Sequence, residues 1–409
     1  MEQIRGDQAG KTEVRKVRYL EQWEKQKTKP MYQAIFPEDS HKFVDYYYKW
    51  KTKDNEILVM EQDDVFEEGS FSVMIHFNPY TLCINGTLLD IPYIVAVATY
   101  AACRRQGRMG QVMRFALRDM EQKQIPFSFL LPADPAYYKG QGFVFFPCQD
   151  PGICMEDSRR KDCLYPANRG DTESQQTFQN REISAATADH YYLEGDVLAS
   201  GLQWKRADTE DIPAMVSFSN KVLEQRDDIF INRDAAYYER LFAETAAENG
   251  GVLLLQLEGE LYGLMVYGVA EQADRRKPWT AEVKELLLES VVSREDAKKL
   301  CQIALAGIHP KWKQEESLQI AFMIPNMMVR IINLPAFVSL MRSEGRHSFY
   351  VKVKDSIIEA NNGTFLIETD HEGGRIQRIM GTGTGQERDI SELAEELLER
   401  TSVYLNEWV

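Results

Sequence analysis

The sequence predicts an α/β (α+β) protein of more than one domain, in which mixed β-sheets are flanked by helices. Three observations point there. A chain of 409 residues is longer than one hydrophobic core ordinarily organises. Its composition, 44% hydrophobic and 27% charged, is that of a globular protein. The order strand, helix, strand also occurs twice, and a helix joining two strands of one sheet is the usual crossover of a parallel pair.

The elements follow in order. VRKVRY is a short charged strand, EDSHKFVDYYYKW is helical, and EILVMEQ and SFSVMIHF alternate as strands do. IPYIVAVAT (91–99) is a buried strand, and QVMRFALRDMEQKQ is a helix in which Val112, Phe115, Ala116 and Met120 fall on one face. FSFLLPA is a strand ending at Pro132, followed by the turn-rich DPAYYKGQGFVFF. Residues 150–180 are polar and irregular, as in a linker. QWKRADTEDIPAMVSFSNKVLEQ then reads as strand and helix. GGVLLLQLEGELYGLMVYGVA reads as a hairpin turning at Gly259, and TAEVKELLLESVVSREDAKKLCQIALAGI as strand and helix again. Finally, MMVRIINLPAFVSLM changes from strand to helix near Pro335, HSFYVKVKD and GTFLIETD are strands, and DISELAEELLER is a helix with Asp389 and Glu392 at capping-box spacing. The terminal YLNEWV carries Tyr404, Leu405, Trp408 and Val409, apolar groups that suit a docked tail.

A formal charge of −15, from 63 acidic and 48 basic residues, excludes general affinity for nucleic acid or anionic membrane and suits a cationic substrate. No apolar run reaches the roughly 20 residues of a membrane span, and the first residues lack the apolar stretch of a secretory signal, so a cytoplasmic location is expected. Cys148, Cys154 and Cys163 are spaced C-x5-C-x8-C, which matches no compact zinc site. The six cysteines read as reduced thiols and no metal is expected.

VATYAACRRQGRMG (97–110) joins the buried strand to its helix with three arginines and two glycines. A glycine-bearing turn that opens a helix leaves backbone N–H groups pointing outward, which suits a pyrophosphate. Gly107 and Gly110 permit close approach, and Arg104, Arg105 and Arg108 add charge for phosphate oxygens. Neither a P-loop nor a dinucleotide-binding fingerprint is present. GTGTG at 381–385 lacks their spacing and reads as a flexible loop.

The R-x-x-G-x-x-G run between strand and helix resembles motif A of the GCN5-related N-acetyltransferases (GNAT), whose pyrophosphate site takes coenzyme A. FVDYYYKW, VAVATYAACRRQG, AYYKGQGF, MMVRIINLPAF and YLNEWV further resemble, in the same order, the enhanced intracellular survival (Eis) family. That resemblance spans nearly the whole chain. It implies two GNAT-like mixed sheets, over 12–165 (catalytic) and 175–315 (degenerate), and a sterol-carrier-protein-like α/β domain over 316–409. The second segment indeed has no arginine-glycine turn before its helix at 294–306. The resemblance also implies acetyl-CoA as co-substrate and a homo-hexamer.

By resemblance, Val95 and Val97 lie beside the pantetheine arm, and the pyrophosphate falls to Arg104, Arg105, Gly107, Arg108 and Gly110. Met109 stands where the general motif has glycine or alanine. The family's general acid corresponds to Tyr138, five residues before Phe143, with Tyr137 as the adjacent competitor. A tyrosine near pKa 10 is nearly matched to a departing thiolate whose conjugate acid lies near 8.5. The family's base is the terminal carboxylate, here that of Val409. An α-carboxyl near pKa 3.5 takes an amine proton only if burial raises it or water relays the proton. Glu407 could attract a cationic amine, and Phe36, Glu38 and Asp39 fall in the region that lines the acceptor channel. The reading is therefore an N-acetyltransferase of the acyltransferase class (EC 2.3.1) acting on an aminoglycoside, polyamine or lysine-like amine. The alternative is an acyl-CoA-sensing or lipid-binding module without turnover.

Overall fold

The computed structural model describes residues 2–5, 14–61, 71–147, 177–178, 202–269, 280–289, 301, 304–305, 319–322, 326–380 and 385–407. Contacts divide the chain into two units, one of residues 1–147, 227–232 and 325–409, the other of residues 148–226 and 233–324.

In chain order the elements are β1 (Glu2–Arg5), β2 (Val14–Tyr19), α1 (Lys29–Ile35), α2 (His41–Trp50), β3 (Glu56–Glu61), β4 (Phe71–Ile84) and β5 (Thr87–Thr99), then α3 (Arg108–Gln122), β6 (Phe127–Leu130), α4 (Pro135–Lys139) and β7 (Val144–Phe145). The middle of the chain forms β8 (Thr177–Phe178), β9 (Gln203–Arg206), α5 (Ile212–Arg226), β10 (Ile229–Ile231), α6 (Ala235–Ala247), β11 (Gly251–Leu257), β12 (Glu260–Val269), β13 (Thr280–Leu288) and β14 (Gln319–Phe322). The remainder forms β15 (Met328–Ile331), α7 (Leu334–Leu340), β16 (His347–Lys354), β17 (Gly363–Thr369), β18 (Gly374–Arg378), β19 (Gln386–Asp389), α8 (Ile390–Leu398) and β20 (Val403–Tyr404).

The first unit is built on a sheet of order β1-β2-β3-β4-β5-β6-β15-β7, to which β10 adds by pairing with β4 and with β20. β4 and β5 are longer than the sequence reading has them. Asn85 and Gly86, both with positive φ (49° and 81°), make the two-residue turn that joins them into one hairpin. The expected crossover is present: α3 connects β5 to β6, and the two strands are parallel. α3 turns Val112, Met113, Ala116, Leu117 and Met120 onto one face of the sheet, against Leu58, Ile75, Phe77, Ile94 and Leu130. α1 and α2 supply Tyr32, Phe43, Tyr47 and Tyr48 as buried residues, and Ser40 caps α2 by accepting the Phe43 N–H.

Three short strands pair across the boundaries expected between 12–165, 175–315 and 316–409. β15 lies between β6 and β7, with Met328 opposite both Leu130 and Phe145. β10 reaches the edge of β4, and β20 pairs with β10 in parallel. Residues 325–409 thereby group with 1–147 rather than standing apart. The same unit holds a four-stranded sheet of order β18-β17-β16-β19, with α7 against β18. α8 begins at the capping box expected of Asp389 and Glu392.

The second unit is a six-stranded sheet of order β8-β14-β13-β12-β11-β9 with α5 and α6. Its β11–β12 hairpin turns at Glu258 and Gly259 as expected, both with positive φ. The helix expected over 294–306 lies mostly outside the described residues, as do Cys148, Cys154, Cys163 and residues 381–384. Cys83, Cys103 and Cys301 are buried. Among the described residues no helix is long and apolar enough to cross a membrane.

Candidate active site

β5 is irregular where the first unit's function is expected. His76 of β4 faces Val95 and Met74 faces Ala98, so Ile75 alone stands opposite Ala96 and Val97. This is a β-bulge, with Ala96 at φ 49°. On its other side β5 pairs with β6 only at Tyr93 and Ile94. From Val95 to Thr99 that edge carries no strand among the described residues, which leaves a run of peptide groups for an extended ligand. Val95 and Val97 both lie on it, half-buried.

The arginine-glycine turn follows at once. A short helical turn, Ala101–Cys103, leads through Arg105 (φ 60°) to Gly107 (φ 71°), the N-cap of α3. No side chain caps this helix, and its first backbone bond runs from the Gln111 N–H to the Gly107 carbonyl. The N–H groups of Arg108, Met109 and Gly110 therefore have no acceptor within the helix. A Cβ added at Gly107 would meet nothing within 4 Å, so this glycine is set by its backbone angle rather than by crowding. Gly110 is different, since the nearest atom to its added Cβ is the flexible end of Arg114 at 3.3 Å. Arg104 and Arg108 are held loosely, by Nε bonds to the Thr99 carbonyl (3.1 Å) and to Gln106 (3.0 Å). With Arg105 they form the cationic side of the turn.

Tyr138 is the penultimate residue of α4, a short helix set by Pro135 and by Asp134, whose side chain accepts the Ala136 N–H. The turn after it folds back, with the N–H groups of Gln141 and Phe143 donating to the Tyr138 carbonyl and Gly142 at φ 83°. The Tyr138 ring meets Tyr137 and Phe143 edge-on. It packs in the same cluster as Ile94 and Met113, with Val97, Met109 and Tyr137 against it. Two expected groups, the bulged strand and the tyrosine, thus adjoin. Burial pushes the Tyr138 phenol above the ordinary value of 10 and Tyr137 up to about 12, the latter held back by Arg114. Burial thus widens the gap from a thiol that the unperturbed value left small. A buried phenol is the weaker acid, and it stays protonated well into alkaline pH. The Tyr137 hydroxyl is buried without a hydrogen-bond partner.

The opposite face of the sheet carries a second group, of which sequence reasoning singled out only Phe36 and, beside it, Asp39. Tyr32, Phe36, Tyr47, Tyr48 and His76 form an aromatic cluster, with Phe36 against Tyr32 at 4.8 Å between centroids. Asp39 accepts from the Tyr32 hydroxyl at 2.8 Å, whereas Glu38 is exposed. His76 is wholly buried, and burial lowers its pKa to about 3, so the ring is neutral. Its Nδ1 meets the Tyr47 hydroxyl at 3.0 Å, and its Nε2 has no partner.

The carboxy-terminal tail is docked through Glu407. β20 leads into Leu405, Asn406 and Glu407, all buried. The Tyr80 hydroxyl donates to the Glu407 carboxylate at 2.5 Å and accepts from Lys51 Nζ at 2.7 Å, with Lys51 itself 3.7 Å from Glu407. Glu407, expected to meet a cationic amine, thus has its charge balanced inside the protein. Val409, the expected base, lies outside the described residues, as does Trp408. Among the described residues no three metal-binding side chains of the His, Cys, Asp and Glu types come together.

A bulged strand that pairs with its parallel neighbour only at Tyr93 and Ile94, followed by a helix N-terminus without a side-chain cap, is the arrangement the sequence leads one to expect of a GNAT domain. Comparison with known proteins agrees. Residues 16–146 match the family described as the acetyltransferase (GNAT) domain, so the chain carries such a domain and is an acyltransferase-class enzyme. No curated protein sequence matches. In fold, the chain is similar to a conserved protein from Enterococcus faecalis V583 described as a probable N-acyltransferase (14% identity, TM-score 0.65, covering 97% of this chain and 100% of that one). It is also similar to a GCN5-related N-acetyltransferase from Anabaena variabilis (12%, TM-score 0.60, covering 93% and 89%). A third likeness is to Eis1 from Mycobacterium abscessus (12%, TM-score 0.54, covering 94% and 89%).

Proposed function

We propose that the protein transfers an acetyl group from acetyl-CoA to a primary amine of a cationic acceptor, of the aminoglycoside, polyamine or lysine type. The observation that carries this is the edge of β5 from Val95 to Thr99, which pairs with no strand among the described residues and runs straight into the uncapped start of α3. Pantetheine has two amides spaced to bond a strand edge, and a pyrophosphate suits the N–H groups of Arg108, Met109 and Gly110 with Arg104, Arg105 and Arg108 around it. The descriptions of the Enterococcus protein as a probable N-acyltransferase and of the Anabaena protein as a GCN5-related N-acetyltransferase support the same class.

In this reading the amine nitrogen bonds to the thioester carbonyl carbon, the carbon–sulfur bond breaks, and the proton reaching sulfur comes from Tyr138. The amine's proton goes to the carboxylate of Val409, directly or through water. Glu407 holds the tail through Tyr80 and Lys51, while Phe36 and Glu38 stand on the acceptor side. The −15 net charge favours a cationic acceptor. We assign the four-stranded sheet with α7 and α8 to the sterol-carrier-like part.

Titration with coenzyme A tests the donor site. Gly107→Ala introduces no steric contact, because nothing lies within 4 Å. It does strain the left-handed N-cap by about 1–2 kcal/mol. Affinity is expected to weaken about tenfold, or about 1.4 kcal/mol. An unchanged Kd in a folded variant would place the pyrophosphate elsewhere.

A further inference from the structure

Arg330 stands on β15, the strand inserted between β6 and β7, and its guanidinium is wholly engaged inside the protein. Nε donates to the Gln141 carbonyl at 2.9 Å, one terminal nitrogen donates to both Asp355 oxygens at 2.7 and 2.8 Å, and the other donates to the Ile331 carbonyl. The two charged side chains are 1% and 0% exposed. Gln141 lies in the turn that folds back onto Tyr138. At Gly142 an added Cβ would stand 2.7 Å from Arg330 Nε, so guanidinium and turn are in direct contact.

Asp355 extends the connection. Its carboxylate accepts the N–H groups of Ile357 and Ile358 at 2.9 and 3.1 Å and the Asn361 amide at 2.9 Å. Ile357 and Ile358 pack in the cluster that holds Tyr138 and Phe143. The Ile357 carbonyl also accepts from Arg118 of α3 at 3.2 Å. The turn after Tyr138 is therefore held from above by Arg330, and the apolar residues around the tyrosine are held by the partner of Arg330.

We propose that Arg330, paired with Asp355, is a positioning residue that fixes the Tyr138 turn against the start of the acyl-donor site. The proposal rests on the reading of Tyr138 as the proton donor. A buried ion pair is poor evidence of net stability, since apolar groups of similar volume often replace one without loss. A planar fork bonded at once to a backbone carbonyl and to both oxygens of a carboxylate does fix direction, and an ammonium cannot reproduce it.

The test measures kcat and KM for acetyl-CoA against pH at saturating amine. The proteins are the wild type, Arg330→Lys, Gly142→Ala, Tyr138→Phe and Val351→Ala, the last a buried change in β16 away from the turn. Arg330→Lys and Gly142→Ala should each lower kcat about tenfold with KM for acetyl-CoA within about twofold. Part of the Gly142→Ala loss comes from strain at its positive φ whatever Arg330 does, and the part that comes through the shared contact should not multiply in the double variant. The alkaline limb of kcat should move to lower pH in Arg330→Lys, since a loosened turn admits water to a phenol whose pKa burial now raises. Val351→Ala should lower Tm without moving that limb. A kcat within about twofold of wild type in Arg330→Lys, or a loss that Val351→Ala reproduces at equal Tm, would overturn the role of Arg330 and leave Tyr138 in place. A wild-type rate in Tyr138→Phe would instead remove the tyrosine itself, and the proposal with it.

Discussion

Tyr138→Phe is expected to reduce kcat by about 10² or more while leaving the affinity for acetyl-CoA within about twofold. The substitution removes one oxygen and keeps the ring that meets Tyr137 and Phe143, so the cluster with Ile94 and Met113 should survive. The lost step is proton delivery to sulfur. Because burial holds the phenol above its ordinary value, its hydroxyl is protonated throughout the neutral range. Its use must come late, when negative charge has built on the thiolate and draws the proton. Wild-type activity should accordingly show no loss near pH 10 from this group, since its titration lies higher. Tyr137→Phe is the comparison, and it should cost far less if Tyr138 is the donor. A full effect from Tyr137→Phe with none from Tyr138→Phe would exchange their roles.

Deleting Trp408 and Val409 is expected to lower kcat by about 10² as well. The truncation ends the chain at Glu407, which keeps β20 and the bonds from Tyr80 and Lys51, so the fold should hold. It also creates a new terminal carboxylate, but two residues short, or up to about 7 Å from the original along an extended chain. Proton transfer needs hydrogen-bond reach, so that displacement is disabling. A carboxy-terminal extension should impair turnover in the same way, by removing the charge from its position. Full activity in both variants would show that a different group accepts the amine's proton.

Much of the first unit was legible because its signals are local. The period-2 strands, the helical face of Val112, Ala116 and Met120, and the crossover between β5 and β6 each lie within a short window. The glycines of the α3 turn and the capping box at Asp389 are equally local. The Asn85-Gly86 turn was also readable, as a two-residue hairpin signal, and would have lengthened β4 and β5. The rest depends on partners distant in the chain. β10 and β20 span three and two residues, too few for a pattern, and what makes them strands is an edge supplied from elsewhere; β15 is read as a strand from MMVRII, but its place between β6 and β7 is not. The bulge at Ala96 has no sequence mark either, since alanine is not a residue that prefers positive φ. Likewise, Arg330 and Asp355, or Glu407 and Tyr80, become partners only once the sheet is assembled. The candidate site divides the same way. The turn proposed to bind the pyrophosphate is written in consecutive residues, whereas the support of Tyr138 and the docking of the tail are not.

The measurement that bears most directly on the enzyme reading is release of free thiol from acetyl-CoA by the intact protein, across a panel of aminoglycosides, polyamines and lysine peptides, with mass spectrometry of the products. Amine-dependent thiol release with stoichiometric N-acetylation of at least one cationic acceptor is the expected result. Tight binding of acetyl-CoA with no thiol release and no acetylated product across the whole panel would contradict it, leaving a protein that holds an acyl-CoA without transferring its acyl group.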